Sequence, residues 1–139
     1  MSKPLDTRSS KKVSHLFRVL GQPSHLEILL AIGTGEACVC HLEAATGWRQ
    51  AYVSQHLMAL RDEGLVVSRR DGRNIFYRLK NAAVLNLIRT GAGVTGHADF
   101  EAALDRLAEP LAHCPCPHCS LQRAQARGLS VADLATGES

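Results

Sequence analysis

The feature of this sequence that most restricts its fold is a change of periodicity at Gly64. Residues 50–63 carry apolar side chains at intervals of three and four positions, which is the spacing of one buried helix face. Residues 65–79 instead form two short β-prone runs around Asp71-Gly72, a dipeptide typical of two-residue hairpin turns. The sequence therefore predicts a helix followed directly by an antiparallel hairpin.

The segments before this change predict a small helical core. Residues 13–20 place apolar side chains on one helical stripe. A second helix opens near Pro23 and is apolar almost all round, as expected for a helix in the middle of a core. A short helix over residues 39–45 joins the helix over residues 50–63 through residues 46–49, which predicts a helix-turn-helix.

The chain after the hairpin predicts further helices and a polar end. One helix begins near residues 85–88, another occupies residues 98–111, and Gly91 and Gly93 are expected to loosen the join between them. The predicted fold is mainly α with a β-hairpin wing (α+β), that is, a winged helix-turn-helix. The predicted division is a disordered basic N-terminal tail, a winged-helix domain, and a cysteine-rich C-terminal segment with its tail: 1–12, 13–112 and 113–139.

The size of the chain limits it to one core. With 139 residues, of which 45% are apolar, it has room for one core of ordinary size and for no second full domain. Residues 1–12 are polar and basic, and no segment approaches the roughly 18 apolar residues that a membrane span needs. We therefore expect a cytoplasmic protein with no membrane partner.

The basic charge of the chain is concentrated in its middle. The formal net charge is only +3, yet eight basic residues stand against three acidic ones between Arg49 and Arg89. Clustered lysine and arginine release counterions from phosphates, so this block favours a nucleic-acid partner. A solvated charged face is the alternative that charge alone leaves open.

Two stretches carry a family resemblance: VLGQPSHLEILLAI and ACVCHLEAATGWRQAYVSQHLMALRDEGLVVSRRDGRNIFYRL. With a core helix, a helix-turn-helix and a charged hairpin in this order, residues 13–89 resemble the ArsR/SmtB family of winged-helix metal-responsive repressors. The resemblance implies a homodimer that binds double-stranded operator DNA. Two-fold symmetry of such a dimer predicts a pseudo-palindromic operator.

The resemblance places base contacts at the N-terminal end of the helix over residues 50–63. Helical spacing independently puts the same side chains on one outward stripe: Gln50, Ala51, Ser54 and Gln55. Glutamine amides bond adenine edges in the major groove, although an ordinary wet helix surface is the alternative. Tyr52 and His56 are expected to pack within the fold. Phosphate or minor-groove contacts are expected from the hairpin arginines: Arg69, Arg70 and Arg73.

The cysteine pattern indicates metal binding or redox chemistry. Five cysteines in a reducing compartment rarely form structural disulfides. Cys38 and Cys40 stand at the start of a helix, where the resemblance places the Cys-x-Cys pair of the arsenic- and cadmium-responsive branch. Side chains two positions apart in a regular helix point about 200° apart. One ion therefore holds both sulfurs only if Cys38 precedes the helix or the first turn is distorted, and the alternative is two small buried hydrophobic residues.

Two cysteines do not complete a site for a thiophilic ion, which prefers three or four sulfur ligands. Residues 1–37 contain no cysteine, but two prolines keep three thiols close together near the C-terminus: Cys114, Cys116 and Cys119. We expect these three to join Cys38 and Cys40, within one subunit or across the dimer. A separate zinc clasp that adds His113 or His118 to the same cluster is the alternative.

The function expected from these features is a repressor that a thiophilic ion releases from its operator. Trivalent arsenic or antimony would take three thiolates, and cadmium, lead or zinc would take four. One alternative keeps the repressor but switches it by cysteine redox or persulfide chemistry, or by an iron–sulfur cluster. Another is a thiol oxidoreductase or metal carrier on a winged-helix scaffold. The chain shows no Cys-x-x-Cys in a βαβ setting, no nucleophile triad and no glycine-rich phosphate loop, so no enzymatic activity is expected.

Overall fold

The computed structural model describes residues 6–96 together with the single residues 102 and 128. Its elements are α1 Thr7–Leu20, α2 Pro23–Ile32, β1 Glu36–Cys38, α3 Val39–Thr46, α4 Gln50–Asp62, β2 Val66–Asp71, β3 Asn74–Leu79 and α5 Ala83–Thr95. Helices α3 and α4 form the helix-turn-helix, and β2 with β3 forms the wing, so the predicted fold class is confirmed. The predicted helix over residues 98–111 and the segment 113–139 lie outside the described residues.

The core is built around α2. This helix begins with Pro23 in its first turn, where a missing N–H costs no helical hydrogen bond. The largest side chains that are almost completely buried come from α2, α3, α4 and β2: Ile28, Leu29, Leu42, Val53, Leu57, Leu60 and Val66. Complete burial of one such side chain contributes about 1.5–3 kcal/mol, so this cluster sets the position of α4 against α2.

The turn of the wing lies one residue later than the sequence predicts. Asp71 pairs with Asn74, so the two-residue loop is Gly72-Arg73 and not Asp71-Gly72. Gly72 has a φ of 61°, whereas no non-glycine residue in the described part of the chain has a positive φ. A positive φ at the first loop residue alone is the pattern of a type II′ turn, which favours glycine at that position.

Strand β1 has no counterpart in the sequence prediction. It pairs antiparallel with β3, so the strand order of the sheet is β1–β3–β2. Glu36 lies opposite Arg78, and Cys38 lies opposite Phe76. Three residues are too few to show the two-residue alternation that reveals a strand. Because β1 continues directly into α3, the helix-turn-helix and the wing are joined through one sheet.

Helix α1 begins earlier than the sequence predicts. It starts at Thr7, so residues 7–12, which were expected to be part of a disordered tail, are helical. Asp6 caps the helix, because its side chain accepts a hydrogen bond from the backbone N–H of Arg8 at 3.4 Å. Residues 7–12 contain no apolar side chain, and apolar periodicity therefore gives no signal for this part of the helix.

Helix α5 runs through Gly91 and Gly93 instead of loosening there, and it ends at Thr95 with Gly96 as its C-cap. Glycine in a helix interior costs about 0.5–1 kcal/mol relative to alanine. The helix is held by the residues that it buries in the core: Val84, Leu85 and Ile88. Among residues 6–96, no helix has both the length and the apolar character needed to cross a membrane.

Alanine at two glycines should have opposite effects on stability. Gly47 ends α3 with a φ of 75°, so Gly47→Ala forces a side chain into the left-handed region and should lower the free energy of unfolding by about 1–2 kcal/mol. Gly91 is helical with open space around it, so Gly91→Ala should raise that free energy by about 0.5–1 kcal/mol. Urea unfolding followed by circular dichroism measures both changes. Destabilisation by Gly91→Ala, or none by Gly47→Ala, would contradict these backbone conformations.

Candidate DNA interface and cysteine pair

Helix α4 presents a polar stripe along its N-terminal half. Gln50, Ala51 and Gln55 are exposed, and Ser54 is half-buried. The structure therefore brings the four residues predicted to contact bases onto one outward side of the helix. Met58, which is apolar but 56% exposed, lies one turn further along the same outward side. The sequence analysis missed it, although its spacing of four residues from Ser54 indicates this position.

Aromatic and histidine rings hold one edge of α4. Trp48, Tyr52 and His56 follow at four-residue intervals, and their successive ring centroids lie 5.1 and 4.4 Å apart in edge-to-face geometry. The hydroxyl of Tyr52 lies 2.9 Å from the hydroxyl of Ser24 on α2. The ring of His56 meets that of His25, also on α2, with centroids 5.2 Å apart. His56 is half-buried, whereas Tyr52 is 43% exposed and is held by its hydroxyl and ring contacts. Both side chains attach α4 to α2.

Two histidine rings meet at the contact between α2 and α4. His25 is buried, and its Nδ1 donates to the carbonyl oxygen of Val19 at 2.9 Å, because a carbonyl only accepts. The pKa of His56 is lowered from its ordinary value of 6.5, first because burial disfavours the charged ring and second because His25 stands beside it. The contact between α2 and α4 is therefore formed most favourably with a neutral His56.

The three arginines of the wing have different surroundings. Arg70 and Arg73 are exposed near the tip. Arg69 lies further from the tip, and its Nη2 and Nε atoms are 2.9 and 3.1 Å from one carboxylate oxygen of Glu36 on β1. Its Nη1 lies 3.7 Å from a carboxylate oxygen of Asp71. The hydrogen bond to Glu36 is the main cause that raises the pKa of Arg69 above its ordinary value.

The junction of β1 and α3 brings Cys38 and Cys40 together. Cys38 is the last residue of β1 and the N-cap of α3, with an extended backbone, whereas Cys40 lies in the first turn of the helix. Their Sγ atoms are 2.8 Å apart. The Sγ of Cys38 also accepts a hydrogen bond from the backbone N–H of His41 at 3.4 Å. Cys38 therefore precedes the helix, which is the condition for one ion to meet both sulfurs.

The described residues supply part of a thiophilic site. Two sulfur atoms that face each other are the donors that soft ions prefer, so the pair fits such an ion as two of its ligands. Within residues 6–96, 102 and 128, no three histidine, cysteine, aspartate or glutamate side chains are grouped to hold an ion. The further ligands named from the sequence lie outside the described residues: Cys114, Cys116, Cys119, His113 and His118.

A helix-turn-helix with an arginine-tipped hairpin defines the winged helix-turn-helix class of DNA-binding proteins. The family described as "Bacterial regulatory protein, arsR family" matches residues 22–68. The chain is 35% identical over 81 residues to the arsenical resistance operon repressor of Staphylococcus aureus, which covers 58% of this chain and 78% of that protein. The chain belongs to the ArsR/SmtB family of regulators.

Two further relatives carry different names. The transcriptional repressor SmtB homolog of Synechocystis is 39% identical over 80 residues, which is 58% of this chain and 61% of that protein. The cadmium resistance transcriptional regulatory protein CadC of Listeria innocua is 35% identical over 80 residues, which is 57% of this chain and 67% of that protein. The chain thus spans about three fifths of the SmtB homolog.

Solved structures of similar proteins confirm the fold. The transcriptional repressor BigR of Xylella fastidiosa matches with a TM-score of 0.60 and 31% identity, over 68% of this chain and 96% of that one. The homodimeric winged helix-turn-helix domain of Mb0332 from Mycobacterium bovis matches with a TM-score of 0.57 and 28% identity, over 70% of this chain and 93% of that one. The first is described as a transcriptional repressor and the second as a winged helix-turn-helix DNA-binding domain. The described helices and hairpin of this chain follow the same architecture.

The lowered pKa of His56 makes stability dependent on pH. Because the folded state disfavours the charged ring, the contribution of His56 is complete above its ordinary pKa of 6.5 and is lost as the pH falls below that value. We therefore expect the urea midpoint of the protein to fall between about pH 7.5 and about pH 5.5 by more than that of His56→Gln. Equal decreases in both proteins would contradict this role of His56.

Proposed function

We propose that the protein is a DNA-binding transcriptional repressor, and not an enzyme, which a thiophilic ion releases from its operator. The observation that carries the DNA-binding part is the outward polar stripe of α4 beside the exposed arginines of the wing tip. A helix of this kind fits the major groove and offers polar side chains to base edges, while arginines in a hairpin reach phosphate or the minor groove. Such a protein acts on double-stranded operator DNA in the cytoplasm.

The proposed repressor is a homodimer on a pseudo-palindromic operator. Val13 and Phe17 on α1 are each 53% exposed, and Val94 on α5 is 84% exposed. Large apolar side chains that are exposed on two helices of a small protein favour burial against a second copy. The homodimeric title of the M. bovis relative supports the same arrangement. A dimer doubles the base and phosphate contacts of one winged helix.

The proposed inducer is trivalent arsenic or antimony, or else cadmium, lead or zinc. Cys38 and Cys40 supply two ligands, and Cys114, Cys116 and Cys119 complete the set. Support comes from the closeness of the two sulfurs and from relatives named for arsenical and cadmium resistance. When bound, the ion draws thiolates from separate segments into one site. Because Cys38 and Cys40 flank the start of α3, a change there reaches the turn that carries α4.

The same closeness of sulfurs favours a second candidate function. In this candidate an external oxidant takes two electrons and two protons as Cys38 or Cys40 forms a disulfide with a cysteine of the C-terminal cluster. Variants of the candidate use a reactive-sulfur donor that leaves a persulfide on one of these thiols, or an iron–sulfur cluster in place of the inducer. The two candidates differ in what the reduced protein binds. A thiol-to-metal titration, compared with mass spectrometry of the oxidised protein, separates them.

Substitutions on α4 and on the wing should affect DNA binding differently. Gln50→Ala combined with Gln55→Ala should cost about 1–3 kcal/mol of specific binding per lost base contact and leave random DNA almost unaffected. Arg73→Ala should weaken specific and random DNA alike and reduce the salt dependence, because it removes a phosphate contact. Fluorescence anisotropy with specific and random duplexes at several salt concentrations measures both effects.

The exposed Gln22, which precedes α2, provides a matched control for the glutamine variants. Gln22→Ala removes the same amide from a position outside α4, where its side chain makes no capping hydrogen bond, and should bind both duplexes like the wild type. Operator affinity that stays at the wild-type level in the variant lacking Gln50 and Gln55 would remove α4 as the base-reading helix.

Serine substitutions should separate DNA binding from release. Serine at Cys38 or Cys40 removes a thiolate without touching the outward stripe of α4, so operator binding should persist and release by arsenite or cadmium should be lost. Serine at all three C-terminal cysteines should also abolish release if they complete the site, but should mainly lower stability if they form a separate zinc clasp. Fluorescence anisotropy of a labelled operator, measured for the wild type and each serine variant with each ion, reports the release. Full release of a protein lacking both Cys38 and Cys40 would refute this site.

A further inference from the structure

A carboxylate on β1 holds an arginine of the wing across the full width of the sheet. Glu36 lies on β1 and Arg69 on β2, with β3 between them. The Nε and Nη2 atoms of Arg69 both donate to the same oxygen of Glu36, at 3.1 and 2.9 Å. The guanidinium carbon lies 4.9 Å from the ring centre of Phe76 on β3, a cation–π contact. One ion pair and one ring contact thus connect all three strands.

The cysteine pair begins on the same strand. Cys38 follows Glu36 by two positions, so both side chains point to the same side of the sheet. Cys38 lies opposite Phe76, and Phe76 lies opposite Arg69, which forms one row across the strands. Cys38 is 2% exposed and Phe76 is 5% exposed. Because close-packed side chains transmit displacements, a shift of Cys38 would displace Phe76 and the guanidinium group of Arg69 over its ring.

We propose that Glu36 is the positioning residue that links the cysteine pair to the wing. Glu36 holds Arg69 over Phe76, so a change at Cys38 is passed to β2, and Arg69 serves this link instead of binding phosphate. The inference rests on the proposed function and deepens it by naming the route from the sensing thiols to the hairpin. By contrast, Arg70 lies opposite Ile75 and is exposed, so it remains available to DNA.

The surroundings of Arg69 support this assignment. Its Nε and Nη2 donors are directed to Glu36, and its Nη1 faces the carboxylate of Asp71 at 3.7 Å. A phosphate that approached Arg69 would have to displace Glu36 and would meet two carboxylates. A contact within the sheet is therefore favoured over a contact with the DNA backbone.

Removal of this ion pair should leave the fold intact. The side chains of Arg69 and Glu36 are 52% and 30% exposed, and ion pairs in contact with water contribute little to folding stability. The opposite side of the sheet, which includes the buried Ala37 and Tyr77, is not altered by substitution at either position. The variants Glu36→Gln and Arg69→Gln therefore test the link itself.

The experiment compares operator affinity with and without arsenite, using the full chain and a duplex selected from random-sequence DNA by the metal-free protein. Cadmium(II) is tested in parallel. The measured quantity is the ratio of operator affinity without arsenite to operator affinity with arsenite. In the wild type we expect a ratio of about 5 to 150, which is typical of coupled sites. In Glu36→Gln and in Arg69→Gln we expect a ratio of about two or less. Hydrogen exchange of the β2 and β3 amides in DNA-free protein is the second measurement. Arsenite should accelerate this exchange in the wild type and in neither variant.

Two charge-matched controls accompany these variants. Arg70→Gln removes the same charge one position along β2 and should weaken operator binding equally with and without arsenite, so that the ratio stays at the wild-type value. Glu27→Gln removes an exposed carboxylate from α2 and not from a strand, and should change neither the affinity nor the ratio.

Two outcomes would overturn the link while the proposed function stands. In the first, arsenite releases both Glu36→Gln and Arg69→Gln with the wild-type ratio. In the second, Arg69→Gln weakens operator binding equally with and without arsenite, as expected for Arg70→Gln. The second of these would make Arg69 a phosphate contact. A wild-type protein that neither arsenite nor cadmium releases would overturn the proposed function and this inference together.

Discussion

The burial of one side of α4 against α2 is the constraint on which the other features depend. Leu57 and Leu60 of α4 and Ile28 and Leu29 of α2 are all completely buried. Rotation of α4 about its axis would expose these side chains, and each would lose about 1.5–3 kcal/mol of burial free energy. The outward direction of the polar stripe is therefore determined by the apolar residues on the opposite side of the same helix.

The sheet also constrains how the helix-turn-helix is placed relative to the wing. β1 leads directly into α3, and β3 holds β1 on one edge and the remaining wing strand on the other. A segment of only three residues thus connects the helix-turn-helix to the hairpin. Cys38 stands at the end of this segment, and so the sensing position proposed here belongs to both DNA-binding parts of the molecule.

Local patterns explain which parts of this architecture could be predicted from the sequence. The stripe of α4 and the presence of a hairpin follow from spacing within a few residues, and both were predicted. The turn was placed one residue too early because the pairing of Asp71 with Asn74 depends on how the whole strand meets its neighbours. The role of Glu36 could not be predicted, since it requires β1, and β1 is a strand only because distant β3 pairs with it. The sequence analysis predicted that Cys38 and Cys40 can share one ion only if Cys38 precedes the helix or the first turn is distorted. The extended backbone of Cys38 meets the first of these conditions.

The position of Cys38 as N-cap of α3 has a consequence for what natural variation can tolerate there. Helices are capped best by the oxygen atoms of serine, threonine, asparagine or aspartate, whereas sulfur is a weak acceptor. The bond from the N–H of His41 to the thiol spans 3.4 Å, an ordinary distance for the larger sulfur atom. An exchange to serine would give α3 an oxygen cap, but it would bury a hydroxyl where the side chain is 2% exposed and would remove one thiol. A cysteine at this position therefore gives up part of the capping strength of an oxygen atom, and in return it holds a buried thiol whose place is fixed by the start of the helix.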